Sequence, residues 1–173
     1  RVPVECRIGE EGDGWAAAQS SLETEAEAER ETREQHVMVA DLIRYTKETL
    51  RGRQPLFQYK HVRLKVVESY IETHVLRLLS LRNRWMRSEG QETTYHAAQY
   101  ALMAKGKRLR LASTMLETMG PYTLLSDQKW APMNGEAEAF QRASLPGAKP
   151  GDSIAVQERL MGSRLGLQGT SET

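Results

Sequence analysis

Cysteine is almost missing from this chain: Cys6 stands alone among 173 residues. A single thiol excludes an internal disulfide framework and fits a reducing, cytoplasmic setting. Net charge is also missing, at +1, so no global field draws in nucleic acid or anionic lipid. No apolar run approaches the roughly 18 residues that span a membrane. Phosphate-cradling glycine loops of the GxGxxG or GxxxxGK[ST] type are absent. His36, His61, His74 and His96 show no close ligand spacing, so no metal site is expected. Glycine and proline are few, 13 and 6, which sets aside fibrous and disordered classes. What remains is a soluble globular chain of one-domain length.

Helix-forming sequence fills most of it. Residues 1–13, RVPVECRIGEEGD, alternate Val2, Val4, Cys6 and Ile8 and read as one strand. A lone strand lacks ladder partners, so the expectation is the end of a β-domain that lies upstream. The absence of Met at Arg1 agrees with a missing N-terminus, and no signal peptide is seen. From Trp15 to about Leu50 there is neither proline nor internal glycine, which predicts one long helix. RGRQP at 51–55 ends it. A second helix is expected over 57–87, its apolar stripe formed by Val62, Val66, Tyr70, Val75, Leu78, Leu79 and Trp85. A third carries Ala97, Ala101, Ala104, Leu109, Ala112, Met115, Leu116 and Met119. A long irregular connection, a short helix over 135–143 and a last helix over 153–165 follow. Long helices with short turns predict an all-α, up-down four-helix bundle over 14–167, preceded by the remnant strand and followed by a tail, 168–173.

The first helix opens on a run of glutamates. With about 100° per residue and Ala18 at zero, Trp15, Leu22, Ala40, Ile43 and Leu50 define a stripe expected to be buried. Glu23, Glu27, Glu31 and Glu34 fall opposite, as a solvated face. Glu25 and Glu29 lie on the stripe itself, with His36 between them in angle. A carboxylate facing a core needs a partner or a raised pKa. It then either pairs with a base on a neighbouring helix or serves as a general base. The cluster Lys105, Lys107, Arg108 and Arg110 reads as a phosphate site or, more simply, as a solvated face or subunit contact.

RVPVECRIGEEGDGWAAAQSSLETEAE at 1–27 resembles the junction of the middle and C-terminal domains in acyl-CoA dehydrogenases, where RVPxxxxxGEExxGW leads into the first C-terminal helix, which continues TTLxFER. Arg1, Val2, Pro3, Gly9, Glu10, Glu11, Gly14, Trp15 and Leu22 hold that register, and Glu25 falls on the Glu of FER. RLKVVESYIETHVLRLL at 63–79 is similar to the family's RxxLADMxxExEAARLL helix. LETMGPYTLL at 116–125 is similar to its LLGPYGLL turn, and GDSIAVQERLMGSRLGL at 151–167 to its closing motif.

The resemblance implies a four-helix C-terminal domain, FAD as cofactor and α,β-dehydrogenation of an acyl-CoA thioester. It also implies a homo- or hetero-oligomer arranged as a dimer of dimers, and electron-transfer flavoprotein or a similar acceptor. Members carry the catalytic base either in the closing motif, here Gly151, or on the first helix, here Glu25. Arg51 and Arg53 stand where the family's arginine reaches a neighbouring subunit's FAD. Gly120 of the GPY turn and Ser153 of the closing motif complete the implied cofactor contacts. Ala26 replaces the arginine of FER, and Asp152 adds a charge beside the closing Ser153. Such departures occur in heteromeric members such as the steroid side-chain dehydrogenases. A catalytically silent subunit of a heteromer, or a plain helical-bundle interaction protein, are the competing readings. Alone, without upstream domains, the chain is expected to be inactive.

Overall fold

The computed structural model describes residues 14, 25–127, 129–145 and 154–167, with side chains for all of these except 25–28 and 156. The expected strand over 1–13, Trp15, Leu22 and Ser153 therefore lie outside the described residues.

Helix α1 runs Glu25–Glu48. Its Ala, Glu, Arg and Gln content favours helix, and Lys47 in the last turn suits the negative end of the macrodipole. A tight hairpin follows, β1 Leu50–Arg51 pairing antiparallel with β2 Gln54–Pro55. Gly52 turns it at φ 68, a backbone state that a Cβ disfavours. Tyr59 Oη donates to the Arg51 carbonyl at 2.7 Å and ties the hairpin to helix α2, Lys60–Ser88. Helix α3 spans His96–Met119 and ends at Gly120, after which Pro121 cannot continue it. Two short 3-10 turns lead to helix α4, Glu136–Ser144, and helix α5 covers Ile154–Arg164.

The bundle is up-down. Contacts from α1 to α3 keep a near-constant separation in sequence, Thr32 to Tyr100, Gln35 to Ala104 and Glu34 to Arg108, so these helices run parallel. Helix α2 returns between them. Arg164 at the end of α5 donates to the Thr94 carbonyl just before α3 at 2.7 Å, so α5 runs antiparallel to α3 as the fourth member. Met38, Leu42, Val66, Leu111, Met115 and Phe140 centre the core, with a smaller cluster around Leu76, Tyr100 and Ala104.

Two expected faces are displaced. On α1 the buried residues are Thr32, Gln35, Met38, Val39, Leu42 and Thr46, while His36, Ala40 and Leu50 are exposed. The buried face is thus rotated by about 90° from the expected stripe. On α2, Val62 and Val66 are buried as expected, but Tyr70, Val75, Leu78 and Trp85 are exposed. Ser69, Thr73, Leu76 and Asn83 are buried in their place. Both discrepancies share a cause: small polar side chains that bond locally take the interior positions. Thr73 donates to the Ser69 carbonyl at 2.6 Å, and Thr46 to the Ile43 carbonyl at 3.0 Å.

Candidate functional site

Glu25 supplies the first residue of α1, and its side chain lies outside those described. Because the observed buried face is rotated, helix angle no longer singles Glu25 out, and the family register alone selects it. Glu29, expected on the interior stripe, is exposed and pairs with Arg84 of α2 at 3.6 Å and Arg33 at 3.7 Å. That is the pairing with a neighbouring helix weighed for it.

Arg51 and Arg53 sit together on the exposed hairpin. The Arg51 guanidinium lies over the Tyr59 ring, 5.9 Å from its centroid. Among the described residues no carboxylate pairs with either arginine. Gly120 closes α3 at φ 73 with open space where a Cβ would lie. Hairpin and Gly120 share one end of the bundle, because α1 and α3 both finish there. Glu25 lies at the other end of the 24-residue helix α1, about 36 Å away. One copy therefore does not bring Glu25 together with Arg51, Arg53 and Gly120.

Three members of the basic cluster have partners within the chain. Arg108 makes a two-pronged bond to Glu34, at 2.8 and 3.1 Å, and its guanidinium lies 4.7 Å from the Phe140 ring centroid. Arg110 pairs with Glu72 at 2.6 Å. Lys107 is fully buried and donates to Gln35 Oε1 at 2.9 Å. Gln35 in turn donates to the Ala104 carbonyl at 3.2 Å and to Glu31 at 3.4 Å. Lys107 and Arg108 are thereby committed within the bundle, while Arg110 keeps an exposed ion pair with Glu72. Glu31 and Glu34, expected on a solvated face, are half-buried members of this layer.

Burial pushes the Lys107 ammonium down to about 8, with Glu72 opposing the shift, Arg110 assisting it and Glu31 opposing it. Tyr100 shares a 2.7 Å hydrogen bond with Thr32, and burial drives its phenol well above the ordinary range. The sequence reading missed this polar layer. Its signal was the run of polar Thr32 and Gln35 at one helical spacing with Val39 and Leu42. The connection at 121–134 leaves Tyr122 and Trp130 exposed, with Lys129 Nζ 5.0 Å from the Trp130 ring centroid.

Residues 12–144 match the sequence family "Acyl-CoA dehydrogenase, C-terminal domain". No curated protein matches the chain in sequence. Among solved structures, the bundle superposes on the ChsE4-ChsE5 complex from Mycobacterium tuberculosis with a TM-score of 0.76 and 22% identity, covering 99% of this chain and 44% of that one. PigA with FAD and proline gives 0.79 and 19%, with 97% and 43% covered. Butyryl-CoA dehydrogenase from Megasphaera elsdenii gives 0.70 and 22%, with 95% and 42% covered. At these identities the structural likeness establishes the fold. The helical bundle is that of the C-terminal domain of acyl-CoA dehydrogenases. This chain belongs to the acyl-CoA dehydrogenase family, and it spans less than half the length of those solved chains.

The residues present suit one part of FAD. Two exposed guanidiniums on one hairpin, each with paired N–H donors and no carboxylate partner among the described residues, have the charge and donors that a phosphate group takes. Among the described residues no helix is long and apolar enough to cross a membrane.

Proposed function

We propose that the chain is the C-terminal helical domain of an FAD-dependent acyl-CoA dehydrogenase that introduces an α,β double bond into an acyl-CoA thioester. The match of 12–144 to the family's C-terminal domain carries this reading. In it, Glu25 acts as the general base that removes the α-proton onto its carboxylate. FAD, when bound, accepts the hydride that leaves the β-carbon. Arg51 and Arg53 hold the pyrophosphate of a neighbouring subunit's FAD, which agrees with their distance from Glu25 within one copy. Gly120 leaves room for close approach at the same end, and the Ser153 hydroxyl is the closing motif's hydrogen-bonding group for the flavin. The electrons pass on to electron-transfer flavoprotein or a similar acceptor, in the cytoplasm. The domain alone lacks the surfaces that enclose substrate and is inactive.

The test is flavin content. Purified with its upstream sequence and any genetic neighbour, the protein shows a flavin spectrum, and Arg51→Ala with Arg53→Ala weakens flavin retention at least about tenfold. Unchanged retention rejects the pyrophosphate assignment. Absence of flavin under every condition leaves the second reading, a silent subunit within a heteromer, which Gly151 and Ala26 favour.

A further inference from the structure

His36 and His74 are far apart in sequence, which is why spacing pointed to no metal site. The fold joins them: α1 carries His36, α2 carries His74, and their rings meet edge to face with centroids 5.8 Å apart. Tyr70, one turn earlier on α2, also packs on the His74 ring, at 4.3 Å between centroids. His74 Nε2 is buried and has no hydrogen-bond partner among the described residues. A buried imidazole nitrogen left without a partner costs free energy, and a bound ion is one of the few things that satisfies it. His36 is exposed, so the pair opens to solvent on one side and an ion has a way in.

We propose that His36 and His74 form a two-histidine site for a borderline divalent transition-metal ion, Zn²⁺ or Cu²⁺, which ties α1 to α2. The separation fits. A metal–imidazole bond of about 2.0–2.1 Å, plus about 1.1 Å from nitrogen to ring centre, sets each centroid about 3.2 Å from the ion. Two such rings stand about 5.2 Å apart at a tetrahedral angle and about 6.4 Å apart in line. The observed 5.8 Å lies between these limits. Rotation of the exposed His36 ring about χ2, a broad torsion, turns a nitrogen toward the ion.

Among the described residues no group of three or more His, Cys, Asp or Glu converges, so water fills the remaining coordination positions. Imidazole ligands favour Zn²⁺, Cu²⁺ and Ni²⁺ over Mg²⁺ and Ca²⁺. Arg33 and Arg77, each one turn from a histidine, oppose the ion, and Glu29 offsets the first. Two ligands supply about half the binding free energy of a four-ligand zinc site, which puts the Zn²⁺ Kd between about 1 and 200 µM. Cu²⁺ binds more tightly. This inference does not depend on flavin binding or on Glu25.

The test is calorimetric titration of the untagged 173-residue chain with zinc chloride, on a Cys6→Ser background, beside a Cu²⁺ titration followed by pulsed EPR. The expected result is a saturable site, with two imidazole nitrogens on Cu²⁺. His36→Gln changes an exposed side chain, so helicity by circular dichroism stays the same. It weakens Zn²⁺ binding at least about tenfold and leaves one imidazole on Cu²⁺. His74→Gln acts in the same direction, whereas His61→Ala and His96→Ala leave binding as it is. No saturation below about 1 mM Zn²⁺, binding indifferent to His36→Gln, or a single imidazole on Cu²⁺ in the parent overturns the proposal.

Discussion

Lys107 is the residue at which the interior is least comfortable. An ammonium at zero exposure with one neutral acceptor is tolerated because Glu31 and Glu72 lie near enough to offset part of its desolvation. Its ammonium loses its proton near pH 8 in the fold and near 10.4 when unfolded. Below about pH 8 both states are protonated and the fold carries the full penalty. As pH rises from about 8 toward 10.4 the unfolded state holds more protons, so stability rises. Lys107→Met removes this dependence and raises stability at pH 7 by about 1–3 kcal/mol. Urea midpoints of the two proteins at pH 7 and pH 9.5 check it: the gap narrows at the higher pH. Above about pH 10 Tyr100 works the other way, since its buried phenol resists the ionisation that the unfolded chain allows.

Arg108 joins three helices through Glu34 and Phe140. Arg108→Ala leaves Glu34 half-buried without its partner and is expected to cost about 1–3 kcal/mol. A double-mutant cycle with Glu34→Gln reads the coupling, expected near 1 kcal/mol. Little of this was legible beforehand. Helix angles identify which side a residue takes only when apolar side chains dominate one side, and on α1 the interior accepts Thr32, Gln35 and Thr46.

Elements were more legible than faces. The three long helices, the break at 51–55 and the shorter helices near 136 and 154 follow from where glycine and proline interrupt helix-forming runs, and the bounds agree within a few residues where they are described, the expected start of the first helix at Trp15 lying outside the described residues. The face of α2 was misassigned for a definite reason. Periodicity selects the more apolar side, and on this helix that side, with Tyr70, Leu78 and Trp85, points away from the bundle. A helix apolar all round is one that has neighbours on both sides.

The turn into α4 was invisible to pattern reading. Met133, Asn134 and Gly135 are three successive residues with positive φ, at 54, 56 and 87. A Cβ on Gly135 would come within 2.8 Å of the Ser126 carbonyl oxygen. Gly135→Ala therefore costs about 1–3 kcal/mol, whereas Met133→Gly is neutral or stabilising by up to about 1 kcal/mol. Thermal midpoints of the two variants separate these effects.

At the scale of the whole molecule, the bundle is one part of a longer arrangement in its relatives, covering 42–44% of the three solved chains compared. The family was legible because short motifs occur in the right order over nearly the whole chain. The chemistry was less so, since the closing motif's base position is Gly151 and the FER arginine is Ala26.

The central claim is that Glu25 removes the α-proton in an acyl-CoA dehydrogenase. The most direct measurement is the visible spectrum of the flavin-loaded, full-length protein titrated with an acyl-CoA, compared with Glu25→Gln. The account predicts bleaching of the flavin band in the parent and a loss of bleaching rate of at least about a hundredfold in Glu25→Gln, with flavin still bound. Bleaching at the parent rate in Glu25→Gln would contradict it.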